Sequence, residues 1–182
     1  MGTVTTLPRG REFTRADLDA MPDDGRRHEL IDGCLVATPA PSQRHQVILG
    51  NLFLAFRASC PPELRVLFAP FDVVLAIDTV MQPDLVVAHK TDLTASDLPV
   101  APVLALEVLS PSTRRIDLTL KRDRFEAAGC ASYWVIDPDA PRITAWRLAS
   151  GRYVETGTAT GDESFSVDQP YPVTITPARL LD

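Results

Sequence analysis

The sequence predicts an α/β (α+β) protein in which a mixed β-sheet is flanked by helices. Three observations carry that expectation. Four apolar runs bounded by Pro, Asp or Gly, at 66–76, 84–88, 103–109 and 132–138, read as strands. Two segments, 42–58 and 117–129, place apolar residues at roughly helical spacing. One of them precedes the strand series and the other lies between its last two members, so a helix is available for the sheet at each point.

The elements follow in order. FTRADLDAMP at 13–22 opens with a short helix: Thr14 caps it, Asp17 is the reciprocal acid three residues on, and Pro22 follows its end. HELIDGCLVATP at 28–39 is two short alternating runs about Asp32-Gly33, a hairpin signal because both central turn positions need positive φ. SQRHQVILGNLFLAFRA at 42–58 carries Val47, Ile48, Leu52, Leu54, Ala55 and Phe56, with Ser42 as cap and Cys60-Pro61-Pro62 as stop. Then come the strands VLFAPFDVVLA, DLVVA, VLALEVL and SYWVIDP. Before the last of these, DLTLKRDRFEAAG forms a helix with Leu118, Phe125 and Ala128 inward and Gly129 closing it. ITAWRL and RYVET pair about Ala149-Ser150-Gly151, and the Pro-, Thr- and Gly-rich tail at 157–182 reads as an edge or a meandering cover.

A chain of 182 residues is expected to form one domain, 1–182, large enough to bury most of its apolar surface. Pro102, Glu107 and Pro111 interrupt the longest apolar runs, so no membrane span is expected. The N-terminus lacks the apolar stretch of a secretory signal, and Gly2 with Thr6 fits only the loose myristoylation pattern. Cys34, Cys60 and Cys130 form neither a CxxC pair nor a disulfide framework, which points to a reducing cytoplasm and small buried thiols. His28, His45 and His89 lack the spacing of a zinc site, and no P-loop lysine signature is present, which excludes the usual NTPase pattern. A net charge of −6 argues against a whole-surface nucleic-acid binder. Phosphate contact must then be local, and residues 112–124 offer Arg114, Arg115, Lys121, Arg122 and Arg124 against Asp117 and Asp123.

Glu107 is the residue that demands explanation, since a lone carboxylate in a buried strand is costly unless compensated. Period two puts Val103, Ala105, Glu107 and Leu109 on one face, and Asp84 on a face with Val86 and Ala88. If the two strands pair, both carboxylates meet at one spot. They repel there, so either one holds a proton or a hard cation such as Mg²⁺ bridges them. The alternative is a structural acid bonded to backbone donors or an arginine. Lys121, four residues after Asp117, either faces solvent or points back at the sheet. Glu29 either completes a metal shell or caps its hairpin. His45, with Gln46 at the head of the 42–58 helix, is either a helix-terminal surface residue or a minor catalytic candidate.

The motifs ELIDG at 29–33, PSQRHQ at 41–46, QPDL at 82–85, EVLSPSTRRIDLTLK at 107–121 and YWVIDP at 133–138 together resemble a large bacterial restriction-endonuclease-like family. That family belongs to the PD-(D/E)XK nuclease superfamily, and the resemblance runs from about Phe13 to Tyr153, leaving 154–182 as an extension. It implies a four-stranded mixed sheet with a helix on each side. It makes Pro83-Asp84 the PD element and Glu107 the second acid, which with the carbonyl of Val108 hold Mg²⁺ or Mn²⁺. Glu29 matches an acid that many members place near the site. The superfamily expects lysine two residues after the glutamate. Here that position is Leu109, and Lys121 on the next helix matches the basic residue instead.

The resulting expectation is a metal-dependent endonuclease acting on DNA. Asp84 and Glu107 hold the ion, Lys121 positions or activates water, and Arg114, Arg115 and Arg122 grip the phosphate backbone. Double-strand cutting needs two sites, hence a homodimer. The rivals are a catalytically silent binding or scaffold protein on the same fold, and a nuclease acting on RNA.

Overall fold

A computed structural model describes residues 10–22 and 25–182; the Gly2 and Thr6 pattern lies outside the described residues. The N-terminal elements form as their local signals dictate. In α1 (Arg15–Asp19) the Thr14 side chain caps the first turn, and Asp17 Oδ2 accepts from Thr14 N–H at 2.8 Å. Strands β1 (Arg27–Ile31) and β2 (Cys34–Thr38) turn at Asp32 (φ 51°) and Gly33 (φ 69°). Only glycine serves at position 33, because a Cβ there would lie 2.5 Å from Glu12 Cβ. Helix α2 (Gln43–Ala58) follows, with Ser42 Oγ accepting from His45 N–H.

The 66–76 run, expected as one strand, is two: β3 (Leu64–Phe68) and β4 (Asp72–Ala76), split at Pro70 after a cis Ala69–Pro70 bond. Proline cannot donate to a ladder, so the chain leaves one sheet there and enters the other. Short strands β5 (Thr79–Met81) and β7 (Asp97–Leu98), which had no expectation, join β4, β1 and β2 in a sheet ordered β2-β1-β5-β4-β7.

The second sheet carries the expected core. Its order is β11-β10-β9-β8-β6-β3, where β6 is Leu85–His89, β8 Leu104–Val108, β9 Ser132–Asp137, β10 Arg142–Ala149 and β11 Arg152–Thr160. Strands β3, β6, β8 and β9 form the four-stranded mixed centre, with only the β8–β9 pair parallel, and the β10–β11 hairpin extends it. The β8–β9 crossover is helical: Arg114–Ile116, a π-helical Asp117–Lys121 and Arg122–Ala127 run on as helix 114–127. The helix closes at Gly129 (φ 85°), with Cys130 N–H bonded to Phe125 O and Gly129 N–H to Glu126 O.

The two long helices cover opposite faces. Ile48, Leu49, Leu52 and Phe56 of α2 pack with Val87, Leu104, Leu106 and Trp134. Burying a side chain such as Phe56 contributes about 1.5–3 kcal/mol. Phe125 of helix 114–127 packs on the other face with Val86, Ala105 and Tyr133. Of the residues expected inward there, Leu118 is half-buried and Ala128 is exposed, because Ala128 sits where the helix is already turning off. The tail is both edge and cover: residues 157–160 end the edge strand β11, β12 (Phe165–Val167) and β13 (Val173–Ile175) pair with each other, and Phe165, Tyr171, Ile175 and Leu180 join the α2 core. Cys130 is buried as expected, but Cys34 is exposed, being at the hairpin turn. No helix among the described residues is long and apolar enough to cross a membrane.

Candidate active site

The pairing of β6 with β8 brings the two carboxylates together. Leu85 opposes Leu106, so one step outward places Asp84 across from Glu107. Each acid accepts from the other's strand: Asp84 N–H donates to Glu107 Oε2 at 3.3 Å, and Val108 N–H donates to Asp84 Oδ2 at 2.8 Å. Both side chains lie on the face covered by helix 114–127, as period two requires.

Glu107 meets a lysine. Lys121 Nζ, 1% exposed, stands 3.0 Å from Glu107 Oε1, 2.9 Å from Glu29 Oε1 and 3.7 Å from Asp117 Oδ1. It is therefore neither a solvated helix lysine nor a cleft residue. The π turn explains the inward direction. In a straight α-helix, residues spaced by four drift about 40° per step. Asp117, Lys121 and Phe125 are nevertheless all buried, and the wider turn over 117–121 keeps that spacing on one face. Tyr133 OH pins the turn by donating to the Asp117 carbonyl at 2.8 Å. Glu29, fully buried on β1, also accepts from Gln82 N–H at 2.7 Å, which ties the first sheet to the QPDL segment. It sits with the other acids rather than capping its hairpin.

Asp84 has its own partners. Arg27 Nη1 reaches Oδ1 at 3.2 Å, and His45 Nε2 reaches Oδ2 at 3.0 Å from the first turn of α2. His45, expected near the surface, has a side chain only 12% exposed. Four carboxylates (Glu29, Asp84, Glu107, Asp117) thus share two permanent cations, Lys121 and Arg27. Acidic groups therefore outnumber permanent cations in the cluster, with His45 beside them.

The protonation behaviour follows from that surplus. Burial pushes Glu107 well above the usual carboxylate range; Lys121 opposes this, and Asp117, Asp84 and Glu29 reinforce it. Burial likewise raises Asp117, against the pull of Lys121. Asp84 is also desolvated, but the His45 hydrogen bond and charge, Arg27 and the Val108 N–H outweigh that and bring it down to about 2. Burial works to lower Lys121, yet Glu107, Glu29 and Asp117 hold it above its ordinary value.

Asp84 and Glu107 form the floor of a cleft of about 630 Å³. Its walls are residues 25–28 ahead of and in β1, the 38–42 approach to α2 with Arg44 and His45, residues 110–113, and Pro138–Asp139. The basic side chains lining it are those of Arg26, Arg27, His28, Arg44 and His45. Arg114, Arg115 and Arg122, expected to contact phosphate, do not line it. Arg114 is held at 2.5 Å by Asp137, Arg115 is exposed, and Arg122 lies 5.5 Å over the Trp146 ring. Helix 114–127 starts beside the cleft and runs behind its floor, so its outer face looks elsewhere.

Sequence reasoning passed over Arg27 and Gln82. Arg27 had a readable signal, since it lies two residues before Glu29 on the same strand. Gln82 carried only its place beside Pro83-Asp84; its Nε2 donates to Asp72 Oδ1 at 2.7 Å.

Among the described residues no group of three or more His, Cys, Asp or Glu side chains forms a ready metal cage. A hard divalent cation does not need one, because it uses one or two carboxylates and keeps several waters. The residues present fit such an ion. Two facing carboxylates line an open cleft, and behind its floor Glu29 Oε2 and Asp117 Oδ1 are buried with no hydrogen-bond partner among the described residues.

Comparison with known proteins agrees with this fold. A crystal structure described as a putative nuclease belonging to DUF820, from Anabaena variabilis ATCC 29413, superposes with a TM-score of 0.72 at 20% identity. The match covers 93% of this chain and 97% of that one, and at this identity it shows a shared fold. No functionally curated protein matches significantly. The Uma2 family model, described as putative restriction endonuclease, matches residues 15–179, running through the tail that the sequence motifs had left outside. The chain belongs to that family.

Proposed function

We propose that the protein is a divalent-metal-dependent nuclease that hydrolyses phosphodiester bonds in DNA. The observation that carries this reading is the facing Asp84–Glu107 pair at the floor of a cleft, with Glu107 tethered from behind by a buried lysine. Restriction-endonuclease-like families usually work with a divalent metal, and two facing carboxylates in a cleft match that need.

Asp84, Glu107 and the carbonyl of Val108 would hold Mg²⁺ or Mn²⁺. Bound there, the ion supplies charge neutralisation at the phosphate and a more acidic water. The chain's own residues do the rest. Lys121 fixes the Glu107 side chain and opposes the upward push of burial on it, with Glu29 as its second anchor. A lysine sealed in this way has no reach into the cleft, so its contribution is to orient Glu107. His45 and Arg27 hold Asp84 ionised from the cleft side. Arg44 and Arg26 give the cleft positive charge for a phosphate chain.

A catalytically silent fold remains the second reading, favoured by the donors already on Asp84: Arg27, His45 and Val108 N–H. Cleavage assays separate the two. Purified protein with Mg²⁺ or Mn²⁺ should cut plasmid or oligonucleotide DNA, and Glu107→Gln should abolish the cut. Wild-type protein inert on plasmid, linear duplex and single-stranded DNA in both metals would refute the nuclease reading. A homodimer is proposed for any double-strand break, since each chain offers one such site.

A further inference from the structure

We propose that Arg27 and a divalent cation are alternative partners of Asp84 Oδ1, and that Arg27, once displaced, takes a phosphate of the nucleic acid, so that metal and phosphodiester bind cooperatively. This rests on the nuclease reading above and deepens it, adding a coupling between the two ligands of that site.

The first observation is that the two oxygens of each acid are held unequally. Asp84 Oδ2 accepts from Val108 N–H at 2.8 Å and from His45 Nε2 at 3.0 Å. Among the described residues Oδ1 has Arg27 Nη1 alone, at 3.2 Å. Glu107 is divided in the same way, with Lys121 Nζ on Oε1 at 3.0 Å and the Asp84 N–H on Oε2 at 3.3 Å. A charge-assisted N–H···O bond is ordinarily about 2.7–2.9 Å long, so the Arg27 contact is the weak one at Asp84. Oδ1 is therefore the oxygen that can change partners. A guanidinium and a divalent cation cannot share it, because at that range they repel strongly.

The second observation is how Arg27 is mounted. It opens β1 with its side chain 25% exposed in the cleft wall. Its Nε donates to Thr38 Oγ1 at 3.1 Å, and Thr38 is its register partner on β2 and also lines the cleft. That bond keeps the guanidinium at the cleft when Nη1 lets go. Among the described residues Nη2 has no hydrogen-bond acceptor. Nη1 and Nη2 together then form the two-pronged donor that matches two phosphate oxygens. A guanidinium three-quarters buried needs an anion, and a phosphodiester lying in the cleft supplies one.

The rival is a permanent ion pair that merely orients Asp84. The two differ in sign. Removing a competitor tightens metal binding, whereas removing a structural support weakens both ligands. Because coupling between two ligands is reciprocal, the side chain that links them must act on both affinities.

The test measures Mn²⁺ binding by calorimetry without nucleic acid, and binding of one duplex oligonucleotide by fluorescence anisotropy in saturating Ca²⁺. Arg27→Gln removes the charge and keeps an amide donor. It should tighten Mn²⁺ about tenfold and weaken the oligonucleotide about tenfold, the scale of one charge-assisted contact. Thr38→Val keeps the charge but cuts the Nε tether. It should move both affinities in the same two directions by a smaller factor, and it decides the matter if the glutamine variant does not fold. Any other pattern, whether a parallel loss or either affinity unchanged, overturns the exchange and leaves the nuclease reading intact wherever the wild-type protein cuts. Opposite shifts in a protein that cuts no DNA support the exchange and defeat the nuclease reading, so the two fail separately.

Discussion

Replacing Lys121 by Met removes the one cation that three buried carboxylates share, at 2.9, 3.0 and 3.7 Å, and keeps its apolar stem. Deleting one partner of a buried ion pair costs about 3–5 kcal/mol, because the charge left behind is unsolvated. For a chain of this length that corresponds to a fall in Tm of roughly 6–20 °C. The loss should depend on pH in a defined direction. Glu107 and Asp117 already bind protons more tightly in the folded state than free carboxyls do, burial being the main cause. A group with a raised folded pKa contributes stability that is present below its unfolded value and is lost as pH rises through the folded value. Without the lysine these carboxyls escape their penalty only by protonation. The destabilisation of Lys121→Met should therefore be largest near pH 8 and shrink toward pH 5. Urea unfolding in metal-free buffer at three or four pH values measures it, and Glu107→Gln added to the variant should recover part of the loss. A cost below about 1 kcal/mol at pH 8, or one that does not change with pH, would mean the lysine is not the counter-charge of a buried ionised cluster.

Glu107→Gln in the wild-type background should abolish cleavage yet raise Tm in metal-free buffer, since it removes a buried acid that Asp117, Asp84 and Glu29 crowd; a lower Tm would show that Lys121 needs Glu107 as its counter-charge. Asp84 runs the other way: its carboxyl is held down to about 2, so its stability contribution is present above its unfolded value and lost as pH falls through about 2. Acid unfolding between pH 4 and 2, followed by circular dichroism, should accordingly be less steep in Asp84→Asn, and an unchanged slope would argue against the His45 and Arg27 contacts. Gly33→Ala should destabilise by at least about 1 kcal/mol in denaturant titrations, because it adds a clash with Glu12 Cβ to a positive φ, and a neutral effect would contradict the turn geometry.

The centre of the fold was legible because its signals are local and strong. The capping box at Thr14 and Asp17, the Asp32-Gly33 and Ser150-Gly151 turns, and Ser42 ahead of α2 each act within a few residues, and all are present. Period two on β6 and β8 put Asp84 and Glu107 on one face, and the pairing register brought them together. The first sheet was less legible. Strands β5 and β7, of three and two residues, are too short to show alternation, and only their partners hold them extended. The split at Pro70 was readable in principle, since a proline inside a strand run argues for a break.

Within the site, residue types were easier to read than their surroundings. A buried lysine was within reach of the sequence, but its complete sealing depends on a π turn that has no periodic signature. Arg114 and Arg122 are drawn to Asp137 and the Trp146 ring, contacts that no local pattern announces. Arg26 and Arg44, which do line the cleft, stand on either side of the β1–β2 hairpin, and no local pattern in the sequence turns them toward it. Leu109, where the superfamily motif has lysine, is 4% exposed and belongs to the core with Phe125 and Tyr133.

Calorimetric titration with Mn²⁺ tests the central claim most directly. One ion should bind per chain, and Asp84→Asn and Glu107→Gln should each lose it while remaining folded. Absence of binding by the wild-type protein, or binding that survives both substitutions, would contradict a metal held by this pair.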